Sequence, residues 1–139
     1  MRRRRDERAA SALEMSIIAP VFLLLIFGIV EFGLWMYARN VVTLSAREGA
    51  SYLRVSGTVD DPEGWKGAAV DTAEAYALQV GLLTSAHAEA DISDDGEQAI
   101  VTVCGTYSHP TGGLLSDSEI CQSVTVQVEQ FEPDLGEPE

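Results

Sequence analysis

The chain has 139 residues, a 46% hydrophobic composition and a formal net charge of −13 at pH 7, which allows one small domain. Five arginines stand against two acids in residues 1–8, whereas four basic residues stand against twenty acids in the remainder. An acidic main body argues against nucleic acid and against anionic lipid headgroups as partners.

Leu13 to Tyr37 reads LEMSIIAPVFLLLIFGIVEFGLWMY, and Glu14 and Glu31 are its only charges. A secretory signal has an apolar core of about 7–15 residues followed by a small-residue cleavage site. This run is longer, and Leu34 to Arg39 offers no such site. The strictly uncharged core, Met15 to Val30, is 16 residues, short of the ~20 that cross a bilayer. Counting on to Tyr37 reaches that length and sets Trp35 and Tyr37 where an interfacial aromatic belt lies. We therefore expect a basic cytoplasmic leader over 1–9 and a transmembrane helix over 10–38. Arg2, Arg3, Arg4, Arg5 and Arg8 would hold the leader inside, placing everything from Arg39 onward outside the cytoplasm. A cleaved signal and a buried core helix are the alternatives. A carboxylate in hydrocarbon costs about 2.5–3.5 kcal/mol, so Glu14 and Glu31 need a task. Each either snorkels to an interface or neutralises a cation of another subunit.

Helical periodicity continues past the apolar run. Ala38, Val41, Val42, Ser45, Gly49, Tyr52 and Leu53 share one side, and Arg39, Thr43, Arg47, Ser51 and Arg54 recur on another. One helix from about Ala10 to Val55 would measure roughly 68 Å, bent at Pro20, with 39–55 as its extracytoplasmic continuation. Residues 56–131 then form a small domain. Its opening, Ser56 to Gly64, is turn-rich. Asp61 followed by Pro62 is an N-cap and first-position proline. A second amphipathic helix runs from about Pro62 to Leu83, with Trp65, Ala69, Ala73, Tyr76, Val80 and Leu83 on its apolar face. The period then drops to two. Ala86 to Ile92 forms a strand, Asp94 to Glu97 a hairpin turn, Ala99 to Tyr107 a second strand and Cys121 to Glu129 a third. The tail 132–139 is acidic and is expected to be disordered.

Cys104 and Cys121 both fall on the polar face of their strands. An even count in an oxidising compartment reads as a disulfide, which would close a loop of ~17 residues and contribute about 3 kcal/mol. Free thiols are the alternative. A metal site is disfavoured, because His87 and His109 do not supply ligand spacing. Asp91, Asp94, Asp95 and Glu97 lack the calcium-loop pattern and read as a solvated turn. No phosphate loop, zinc signature or nucleophile elbow occurs, so we expect no metal, no cofactor and no enzyme.

The segments Arg8-Ala-Ala-Ser-Ala-Leu-Glu14-Met15, Ile26-Phe-Gly-Ile-Val-Glu-Phe-Gly33 and Ala46-Arg-Glu-Gly-Ala50 together resemble the TadE-like minor pilins of tight-adherence (Tad or Flp) pilus systems. The resemblance covers about residues 8–54. It implies type IV pilin-like behaviour, and with the elements read above we expect an α+β, type IV pilin-like fold: a long N-terminal transmembrane and amphipathic helix, a second helix and a small three-stranded antiparallel sheet. It also implies a single-pass membrane protein that packs against other pilin-like subunits and Tad assembly platform proteins, with its outer domain at the pilus tip or at the assembly platform. A prepilin peptidase would cut between Ala9 and Ala10, leaving Glu14 as the fifth mature residue, able to neutralise the new Ala10 ammonium of a neighbour. The family's usual glycine before the cut is here Ala9, and its phenylalanine after the glutamate is here Met15. An uncleaved chain would keep its arginines as a topological lock. Apart from the resemblance, the chain also reads as an extracytoplasmic binding module on a simple tether.

Overall fold

The computed structural model describes residues 2–54, 62–94, 96–109 and 117–129, with side chains from 12 onward in the first helix and from 63 onward in the second. The expected N-cap Asp61, the turn residue Asp95 and the tail 132–139 lie outside the described residues. The fold is α+β. Helix α1 spans Arg2–Arg54 and helix α2 Pro62–Gln79; strands β1 Leu83–Ile92, β2 Gln98–Tyr107 and β3 Ser118–Gln127 follow. The chain divides into two units, Met1–Trp35 and Met36–Glu139.

In the first unit the backbone is helical from Arg2, earlier than the expected start near Ala10, because arginine is itself a good helix former. The helix continues through Pro20. The second unit contains the core. Its part of α1 buries Ala38, Val41, Val42, Ser45, Ala46, Gly49, Ala50 and Leu53, a face repeating every three or four residues. The buried Ser45 hydroxyl donates to the Val42 carbonyl at 2.8 Å, so the core contains no unpaired polar group there. Tyr52, expected on this face, is instead exposed, because it sits at the face's margin.

Helix α2 buries Ala69, Ala73 and Ala77, one stripe at a spacing of four. Two expectations are corrected here. Tyr76 is exposed rather than inward, since a stripe that steps by four residues leaves position 76 on its flank. The helix ends at Gln79 rather than Leu83, because Gly81 adopts φ 72° and its N–H donates to the Leu78 carbonyl at 3.2 Å. A glycine in the left-handed region is the commonest helix terminator. Val80 therefore lies beyond the helix, and Leu83 is buried as the first residue of β1.

The sheet is antiparallel in the order β1-β2-β3. Ala88, Val101, Val103, Tyr107 and Ile120 are buried on its inner face, as strict alternation requires. Helix α2 packs chiefly on β1 and also on β2. Where the β1–β2 hairpin turns, Ser93 N–H donates to the Gln98 carbonyl at 2.8 Å and Gly96 N–H to the Ser93 carbonyl at 2.8 Å. On β1, an edge strand, two N–H groups are taken by carboxylates: Ala88 donates to Glu74 Oε1 and Ile92 to Asp91 Oδ1, each at 2.9 Å. That blunts an edge otherwise open to foreign strands.

Candidate functional site

The site begins with residues that the chain itself leaves uncovered. Between Ala12 and Val30 every residue of α1 is exposed, and Leu24 and Ile29 each retain 72% of their surface. The helix has an 18-residue stretch of mean hydropathy 2.5, none of it buried. The helix is long and apolar enough to cross a membrane. Phe32 and Trp35 stack with ring centroids 6.0 Å apart, grouping aromatic surface near the end of the run, as an interfacial belt does.

Glu14 is exposed near the start of this stretch and Glu31 is half-exposed near its end. They lie 17 residues apart in sequence, so the structure does not bring them together; they mark opposite ends of the uncharged core. Ala9, Ala10 and the arginines at 2–5 and 8 lie on the same helix, and their side chains lie outside the described residues.

In the second unit, Cys104 and Cys121 are directly opposed in the β2–β3 register and are joined in a disulfide with Cα atoms 4.0 Å apart. Glu119 lies near the two sulfurs, and this is the one group of possible metal ligands among the described residues. The sulfurs are bonded to each other, so they hold no thiolate for a metal. Of the acidic turn residues, Asp91 lies 3.9 Å from Lys66, and Asp94 and Glu97 are exposed. His87 on β1 lies 3.4 Å from Glu74 of α2 and 3.7 Å from Glu89, a polar cluster that links the helix to the edge strand. His109 meets the Tyr107 ring edge-on at 4.8 Å.

Sequence reasoning underrated Gly49. A Cβ built there would stand 2.8 Å from the Ala69 carbonyl oxygen and 2.9 Å from Ala73 Cβ. Gly49 therefore lets α2 approach the α1 backbone. The signal was its place among small residues in Ala46-Arg-Glu-Gly-Ala50.

The profile of the TadE-like protein family matches residues 9–51. Over these residues the chain is similar to that family. The TadE-like segment takes in Glu14, Glu31 and Gly49 and stops before α2, so the second helix and the sheet lie outside it. Comparison with curated proteins and with solved structures gave no match.

Proposed function

We propose that the protein is a structural, non-enzymatic component of a Tad-type pilus, a minor pilin held in the cytoplasmic membrane with its amino end inside. The observation that carries this reading is the TadE-like segment whose apolar surface the chain does not bury. Such a surface needs lipid before assembly and other pilin-like helices afterwards, and one helix serves both. Glu14 supplies the charge logic. If a peptidase frees Ala10, its ammonium enters a packed helix array, and a neighbour's Glu14 carboxylate neutralises it. Removing one member of a buried pair costs about 3–5 kcal/mol, so this contact would select for correct stagger between subunits. Glu31, at the outer end of the uncharged core, would hold the interface by the same principle or by contact with headgroups. The acidic α+β domain, stapled by its disulfide, is then the face turned to partners at the pilus or at the assembly platform.

The test is Glu14→Ala, with insertion and piliation measured in the same cells. The variant should remain in the membrane and fail to support pili; normal piliation would remove Glu14 from this role. Replacing residues 10–38 with an unrelated span of equal length separates this reading from a simple tether, since a tethered binding module survives the exchange and an assembly helix does not.

A further inference from the structure

Within Met36–Arg54, α1 is covered on one side only. Ala38, Val42, Ser45 and Gly49 are buried in the domain, while Tyr37 and Leu44 keep 52% and 47% of their surface. These two are seven residues apart, so they stand one above the other on the open side. At 3.6 residues per turn, Arg47 and Glu48 fall on opposite flanks of Leu44. Both are exposed, and neither makes an ion pair among the described residues. The face is thus a row of Tyr37, Asn40, Leu44 and Ser51 with a cation along one side and a carboxylate along the other.

We propose that this face docks on the same face of a second copy, with the two helices parallel about a two-fold axis. The charges argue for that occupant. Rotation about an axis along the helices carries the Arg47 flank of one copy onto the Glu48 flank of the other, so both ion pairs form together. A partner with a uniformly acidic or basic face would satisfy one flank and repel the other. Leu44 meets its own counterpart, and so does Tyr37, as in an isologous interface. The pairing rests on the reading above in one respect: a shared membrane anchor keeps the two helices parallel and raises their effective concentration.

The experiment uses the full chain in membranes of cells lacking every other pilus component. Leu44→Cys and Ser51→Cys, on the open row, should give disulfide-linked dimers on mild oxidation, and Thr43→Cys, off the row, should not. In the Leu44→Cys background, Arg47→Glu and Glu48→Arg should each lower the dimer yield roughly 3- to 10-fold, the range expected for exposed ion pairs turned repulsive. The double reversal should restore it, which a folding defect would not do. Equal yields from Leu44→Cys and Thr43→Cys, single reversals without effect, or a double variant that stays monomeric would overturn the proposal. Piliation is read separately. Loss of this dimer with pili intact removes the pairing and leaves the pilus role, whereas a dimer that persists when Glu14→Ala leaves piliation normal does the reverse.

Discussion

Gly49 and Gly67 are both helical glycines, and the structure assigns them opposite roles. A methyl group at Gly49 meets the Ala69 backbone oxygen at 2.8 Å, whereas one at Gly67 meets nothing within 4 Å. Alanine is favoured over glycine in a helix by about 1 kcal/mol, so Gly67→Ala should stabilise by up to that amount. At Gly49 the same gain is outweighed by overpacking, which costs about 1–3 kcal/mol in a tight core, and the obstacle is backbone that cannot rotate away. Gly49→Ala should therefore lower the denaturation midpoint while Gly67→Ala raises it, read from urea unfolding of the detergent-solubilised protein. A Gly49→Ala protein as stable as its parent would mean that α2 does not approach α1 here as closely as the structure has it.

At the scale of elements, the strands were the most legible part of the sequence. Strict alternation in Ala99 to Tyr107 and Cys121 to Glu129 sorted side chains to two faces, and the buried Val101, Val103 and Ile120 agree with it. It also set both cysteines on the same face, and the disulfide there follows from the register. Replacing both by serine should cost about 3 kcal/mol, seen as a shift of the urea unfolding curve. The helices were legible in kind but not in their contacts. Alanine is compatible with a buried or an exposed face, so the sequence did not show that Ala77 replaces Tyr76 in the stripe of α2. Nor did it show that Gly81 ends that helix before Val80, since the apolar pattern runs on across the turn. Burial decides the energetics as well. Leu53 is fully buried, and Leu53→Ala should cost about 2–5 kcal/mol. The exposed Arg54–Glu129 pair at 2.7 Å should contribute less than about 1 kcal/mol, so Arg54→Ala should scarcely move the same unfolding curve.

For the whole molecule, the decisive asymmetry is where the arginines stand relative to the apolar run. Five precede it, and Arg39, Arg47 and Arg54 follow it within the distance over which such charges direct insertion. Acidic residues contribute little to that choice, so under the proposed topology the twenty acids of the remainder would not set orientation, and the balance of five against three would. Replacing Arg2, Arg3, Arg4 and Arg5 with alanine leaves one against three and should invert a substantial fraction of the molecules. The domain provides its own reporter, because Cys104 and Cys121 become a disulfide in an oxidising compartment and stay reduced in the cytoplasm. In the parent protein both thiols should resist alkylation until a reductant is added, and protease added to spheroplasts should digest the domain. In the quadruple variant a matching fraction should alkylate without reductant and survive the protease. The two fractions should rise together, since one inversion moves both the cysteines and the cleavage sites. If the variant keeps its disulfide and its protease sensitivity unchanged, the arginines do not set the topology, and the inward-facing leader loses its physical basis.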